Sequence, residues 1–263
     1  MPELKPQVYL DERPAERFER FHAWARTHEP DWVYLLARVV LTPLCLALFR
    51  LRARGRANVP RHGPVLLAPN HFSIWDHFFC GVYLRRRLSF MAKSQLYANP
   101  LMEALLTHAG AFPVRRGQRD EDAIATARAI LARGGAVVVY PAGGRSRDGT
   151  LGTPRPGIGR LALETGVPVV PVAIHGSRGI RRWERLRLPR VTIEYGPPIV
   201  LPKTPSADRA KQQAAAERIF AAVRAMYEAL DEPKKGAAAA PPTAGNYGSS
   251  TGEAGDAPRG RDA

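Results

Sequence analysis

The sequence predicts an α/β protein: a mixed, largely parallel sheet flanked by helices, with an N-terminal membrane-associating helical segment. Three observations predict it. Short β-rich runs alternate with helical patterns between residues 55 and 230, and Ala136–Tyr140 (AVVVY) is the clearest of the runs. Helical patterns close on Gly134-Gly135 and on Gly166, the residues best able to cap a helix C-terminus. Ahead of all of these lies Trp32–Phe49 (WVYLLARVVLTPLCLALF), which is nearly all apolar.

The elements follow in order. Residues 1–31 are largely polar, with an aromatic stripe at Phe18, Phe21 and Trp24 whose spacing of three suits one face of a short helix. As a helix Trp32–Phe49 would span about 27 Å, close to the ~30 Å of a bilayer's hydrocarbon. Arg38 near its centre would cost about 2.5–3.5 kcal/mol to insert, and Pro43 would kink it. A monotopic or re-entrant anchor is the favoured reading, with a buried core helix and a true span as the alternatives. Arg50, Arg52, Arg54 and Arg56 follow at once and suit anionic headgroups.

Val65–Ala68 is a strand, and a helical pattern runs from about Ile74 to Leu84. Leu88–Ala92 is a second strand, and Pro100–His108 a helix with proline in its first turn. Asp120–Arg133 is a longer helix, followed by the strand Ala136–Tyr140. Pro156–Thr165 is a helix, Val167–Ile174 and Val191–Tyr195 are strands, and Ser206–Leu230 is an Ala-rich closing helix. From Pro233 onward the chain is Ala, Gly, Pro, Ser and Thr without periodicity, the composition of a disordered tail. The expected organisation is therefore a membrane-associating region at 1–54, an α/β domain at 55–232 and a tail at 233–263.

Of the 263 residues 45% are apolar and 24% charged, enough to bury a real core. Lys and Arg number 39 against 24 Asp and Glu, a formal charge of +15. The tail is almost neutral, so the surplus belongs to the rest and points to an anionic partner. Two cysteines, Cys45 and Cys80, exclude a disulfide framework and a Cys-rich zinc site, and fit a reducing compartment. Early charges such as Asp11, Glu12 and Arg13 argue against a secretory signal. Arg178, Arg181, Arg182, Arg185, Arg187 and Arg190 surround Trp183 and Leu186, a mixture that suits a membrane interface. The same charge could bind nucleic acid, but no helix-turn-helix, RNP, KH or zinc-finger pattern accompanies it.

One histidine stands out. His71 alone has an aspartate five positions on, in Asn70-His71-Phe72-Ser73-Ile74-Trp75-Asp76. His71 would sit in the turn after a strand, and Ser73 could cap the helix that carries Asp76. Asp76 could then hold one ring nitrogen and leave the other as a base. The spacing alone equally allows a histidine that merely caps its own turn.

The surrounding blocks decide between these. Over about residues 55–200 the chain resembles the 1-acyl-glycerol-3-phosphate acyltransferase family, built around Asn-His-x4-Asp. Gly110-Ala111-Phe112-Pro113-Val114-Arg115-Arg116 is similar to its Gly-x-x-Phe-x-x-Arg block. Tyr140-Pro141-Ala142-Gly143-Gly144-Arg145-Ser146 is similar to Phe-Pro-Glu-Gly-Thr-Arg-Ser, and Val167–Val172 to its Val-Pro-Val-x-Pro-Val block. Lys93 stands where the family has Ala-Lys-x-Glu-Leu. Ala142, Gly144 and Gln95 depart from the pattern at Glu, Thr and Glu.

The resemblance implies transfer of a fatty acyl group from acyl-CoA or acyl carrier protein to a lysophospholipid, most simply 1-acyl-glycerol-3-phosphate. It implies no cofactor beyond that co-substrate, no metal and no nucleic acid. His71 and Asp76 are the implied catalytic pair. Arg115, Arg145 and Lys93 are implied phosphate contacts, with Gly143, Gly144 and Ser146 completing the acceptor loop. The expected partners are the thioester, the lysolipid and an anionic membrane surface, at the cytoplasmic face of the cell membrane. The loss of the third block's glutamate leaves two alternatives: another acceptor, such as glycerol 3-phosphate, or a non-catalytic membrane-bound member of the fold.

Overall fold

The computed structural model describes residues 10–146, 148–180 and 189–231. The tail at 233–263 and most of the Arg178–Arg190 cluster lie outside them. The described residues form one compact unit. Seven strands make a single sheet: β1 (Arg52–Arg54), β2 (Val65–Pro69), β3 (Ser89–Lys93), β4 (Ala111–Val114), β5 (Ala136–Val138), β6 (Val169–His175) and β7 (Thr192–Tyr195). Their order is β1-β7-β6-β2-β5-β3-β4, and every pairing is parallel except β6 with β7. The mixed, largely parallel sheet expected from the sequence is what forms.

The helices are α1 (Glu16–Thr27), α2 (Trp32–Phe49), α3 (Asp76–Val82), α4 (Pro100–His108), α5 (Glu121–Ala132), α6 (Pro156–Thr165) and α7 (Arg209–Asp231). Side chains alternate across the strands and bury two separate cores. Leu66, Ala68, Val137 and Val169 pack with α5, α6 and α7 on one face. Val65, Leu67, Val138, Val170 and Val172 pack with Phe49 of α2 and Phe79 of α3 on the other. The α6–α7 contact is close enough that a Cβ on Gly159 would lie 1.9 Å from the Gln212 carbonyl oxygen.

Two strands were not expected, β1 and β4, and they are the two edges of the sheet. β1 reads Arg-Ala-Arg and β4 contains Pro113, so neither has a β-branched run to announce it. Pairing with β7 and β3 makes them strands. β1 also carries the sheet across the boundary expected at residue 54.

Phe18 and Phe21 of α1 are buried together with Tyr97, as the aromatic spacing predicts, while Trp24 lies half-buried against His28. Asp31 caps α2 by accepting from the Val33 amide at 3.0 Å, and also pairs with His108 at the end of α4. The buried-core alternative for α2 is overturned. Only 11% of this helix is buried, at a mean hydropathy of 2.0. Val39 is 71% exposed and Trp32 67%, with Leu36 and Val40 beside them. Arg38 instead donates to the Leu84 carbonyl, so its charge faces protein. The helix thus turns its one cation inward and its apolar face outward.

Candidate active site

Parallel strands bring their C-terminal ends to one side of the sheet. β5 and β6 flank β2 there, so the chain reverses its winding around β2, the position where open α/β sheets bind ligands. Three of the four blocks follow strand ends at that edge: His71 after β2, Arg115 and Arg116 after β4, and Tyr140–Ser146 after β5. Lys93 ends β3.

Asn70 fixes the turn. Its amide donates to the Ile174 carbonyl at 3.0 Å and accepts from the Ile174 amide at 2.7 Å, so a side chain continues the β2–β6 ladder. The next residue can then leave the sheet with its ring held over α3. His71 Nδ1 lies 2.9 Å from Asp76 Oδ2, and both residues are buried. The same oxygen accepts from the amides of Phe72 at 2.7 Å and Ser73 at 2.8 Å. Two amides that can only donate make Oδ2 an acceptor throughout. Nδ1 therefore carries the hydrogen, and Nε2 keeps its lone pair.

The expected capping by Ser73 is corrected here. Ser73 Oγ accepts from the Trp75 amide at 3.3 Å, but α3 begins at Asp76 without a side-chain cap. Asp76 does the work instead, reaching back to the amides of the preceding turn.

Burial is the largest influence on His71 and pushes its pKa below the ordinary histidine value; Asp76 opposes this, and the charges of Arg145 and Arg116 add to it. Neutral imidazole is the form a general base needs. Tyr140 stacks on the ring with centroids 4.0 Å apart.

The third block is tied to this histidine by its backbone, since the Ser146 amide donates to the His71 carbonyl at 2.9 Å. Gly143 takes φ +73°, and a Cβ there would lie 2.8 Å from the Arg155 side chain. Gly144 lies beside it in the same turn, half-buried. Ser146 Oγ donates to Asp148 at 2.9 Å and receives the Gly149 amide at 3.1 Å, contacts that shape the loop itself.

The structure separates the cations that the sequence grouped. Arg145 is exposed, and its charge reaches His71. Arg115 is held by Asp120: its amide donates at 2.6 Å and its Nε lies 3.8 Å away. Arg116, the next residue, does reach His71 with its charge, as Arg145 does. Lys93 sits half-buried beside Val114 on β4. Sequence reasoning missed how Asn70 bonds to Ile174 and how Tyr140 and His77 pack against the His71 ring, although Asn70 and Tyr140 stand inside recognised blocks. Among the described residues, no group of three or more His, Cys, Asp or Glu side chains could hold a metal ion.

With this geometry in place, known proteins provide a comparison. Residues 50–175 match the family model described as Acyltransferase, which bears out the resemblance carried by the ordered blocks. The chain is 27% identical over 132 residues to the chloroplastic 1-acyl-sn-glycerol-3-phosphate acyltransferase of Arabidopsis thaliana, covering 49% of this chain and 37% of that one. It is 37% identical over 145 residues to the lyso-ornithine lipid O-acyltransferase of Pseudomonas aeruginosa, covering 54% of each. The chain thus spans about half the length, or less, of these curated relatives. The crystal structure of the 1-acyl-sn-glycerophosphate acyltransferase PlsC from Thermotoga maritima shares the fold, with a TM-score of 0.55 at 20% identity over 82% of this chain and 90% of that one.

Proposed function

We propose, from an Acyltransferase match that spans the catalytic turn and the third block, that this protein transfers a fatty acyl group from an acyl thioester to the free hydroxyl of a lysophospholipid. One observation carries the reading: the buried His71–Asp76 pair at the C-terminal edge of the sheet, with Nε2 left as the base. Nε2 takes the hydroxyl proton as the oxygen attacks the thioester carbonyl. The carbon–sulfur bond then breaks, and the imidazolium returns the proton to the departing thiolate. Asp76 stabilises the imidazolium meanwhile, and such proton transfer contributes about 10²–10⁴ in rate.

The acceptor in this reading is 1-acyl-glycerol-3-phosphate, giving phosphatidic acid, with Arg145 and Arg116 beside the reacting hydroxyl to meet its phosphate. The donor is acyl-CoA or acyl carrier protein. The membrane supplies the lipid: α2 lies on it with its exposed apolar face buried and Arg38 kept against the protein. The cytoplasmic leaflet fits two buried free thiols, Cys45 and Cys80.

A second acceptor is favoured by two specific observations. Ala142 removes the carboxylate of the third block, and a relative of 37% identity carries the name of a lyso-ornithine lipid acyltransferase. The test is a panel of lysophosphatidate, glycerol 3-phosphate and an uncharged or amino-acid lysolipid, with labelled acyl-CoA and product mass as the readout. Arg145→Ala should raise KM for the phosphorylated acceptor about ten- to a hundredfold, as loss of a charge-assisted contact predicts. Ala142→Glu should raise lysophosphatidate turnover if phosphate is the native head group and lower it otherwise. Equal impairment of all acceptors by Arg145→Ala would mean that Arg145 holds the loop and does not read phosphate.

A further inference from the structure

Two side chains beside the catalytic pair are not used in the step above. Tyr140 replaces the phenylalanine that opens the family's third block, and His77 directly follows Asp76. The Tyr140 hydroxyl and His77 Nδ1 share a hydrogen bond at 2.9 Å. The three rings close on one another. Tyr140 stacks on His71 with centroids 4.0 Å apart and planes at 23°. His77 meets His71 edge-on at 5.0 Å and 71°, and meets Tyr140 at 5.0 Å and 87°. Phe90 of β3 backs His77 edge-on at 5.6 Å.

We propose that Tyr140 and His77 are positioning residues: Tyr140 covers one face of the His71 ring against rotation and water, and His77 locks Tyr140 in that place through its hydroxyl. The inference rests on His71 being the general base. A stacked ring at this distance excludes water from that face, and Asp76 holds Nδ1, so the ring has one orientation open to it. A phenylalanine could stack equally well but could not be tethered. The tyrosine–histidine pair adds the tether.

Both partners of the tether are neutral. Burial is the main influence that holds the His77 pKa down to about 3, helped by His71, Arg116 and Arg145. Burial also pushes the Tyr140 hydroxyl well above its ordinary value, so it keeps its proton. A hydrogen bond between a neutral imidazole and a phenol holds the pair whichever of the two donates. The titratable and charged groups acting on His71 are Asp76 and His77 from α3, Tyr140 and Arg145 from the third block, and Arg116 from the end of β4. Removing the cover lets water reach the ring, and the lowered His71 pKa should then rise toward the free value.

The experiment follows the His71 ring by NMR in full-length protein with labelled histidine, beside the pH profile of kcat/KM. Tyr140→Leu should raise the His71 titration midpoint by about half a unit or more. It should also cut kcat about tenfold or more while KM for both substrates stays within about threefold. Tyr140→Phe should keep the wild-type midpoint while losing the tether, seen as a shifted His77 Nδ1 resonance and weaker Overhauser contacts from the residue 140 ring to the labelled His71 ring. His77→Phe breaks the same tether from the other side and should weaken the same Tyr140–His71 contacts, which keeps the proposal testable should Tyr140→Leu not fold. A wild-type His71 midpoint in folded Tyr140→Leu, or unchanged residue 140–His71 contacts in both tether variants, overturns the proposal. If the wild-type protein transfers no acyl group, the NMR result still decides the positioning, so failure of the functional reading is told apart.

Discussion

The outward face of α2 gives the membrane reading a quantity. Leu36, Val39 and Val40 occupy i, i+3 and i+4 positions on one side of that helix and are 54%, 71% and 56% exposed. Fully burying such a side chain contributes about 1.5–3 kcal/mol, so covering the exposed parts of these three contributes about 3–5 kcal/mol together. At 1.4 kcal/mol per factor of ten, the serine triple variant Leu36→Ser/Val39→Ser/Val40→Ser should partition onto vesicles about a hundred- to a few-thousandfold more weakly. The fold should hold, because the three side chains touch solvent and not the core. The assay is co-sedimentation with neutral phosphatidylcholine vesicles at low and high salt, with thermal unfolding as a control. The loss should be the same at both salt concentrations, since apolar burial is not screened. A triple variant that still sediments like the wild type in high salt would show that α2 is not the anchor.

Asp76→Asn should cut acyl transfer by about two orders of magnitude with folding retained, because the amide can still accept from Phe72 and Ser73 but no longer stabilises the imidazolium; near-normal turnover would remove Asp76 from the mechanism. Gly159→Ala should lower stability by about 2 kcal/mol or more in urea titration, since its Cβ would meet backbone of α7; an unchanged midpoint would mean that the two helices can part without loss. Stability should also fall in acid. The folded pKa of His77, about 3, lies below its unfolded value near 6.5, so between those limits the unfolded chain binds a proton that the fold refuses. Stability is then full above pH 6.5 and lost as pH falls, by about 2 kcal/mol for His77 alone at pH 5. Urea midpoints at pH 7 and pH 5 read this, and a flat profile would count against a neutral buried His77.

The parts of the site visible in sequence are those built by neighbours in the chain. His71 and Asp76 lie within one strand–helix turn, so their spacing allowed contact, and the ordered blocks around them decided for it. Asn70 could not be read this way, because its partner Ile174 lies 104 residues on. Arg115 and Arg116 are adjacent in sequence but differ in fate: Asp120, the cap of α5, holds the first and leaves the second near the histidine. The edge strands β1 and β4 were missed because pairing, not composition, makes them strands. Helix α2 was legible as apolar, but only its packing shows that Arg38 faces inward.

The central claim is that His71 is the general base of an acyl transfer. The most direct measurement is the rate at which purified His71→Ala protein moves a labelled acyl group from acyl-CoA to lysophosphatidate on vesicles, beside the wild type and with its thermal unfolding recorded. A fall of at least about a hundredfold in kcat/KM, with unfolding unchanged, is the predicted result. Wild-type-like turnover from folded His71→Ala protein would contradict it.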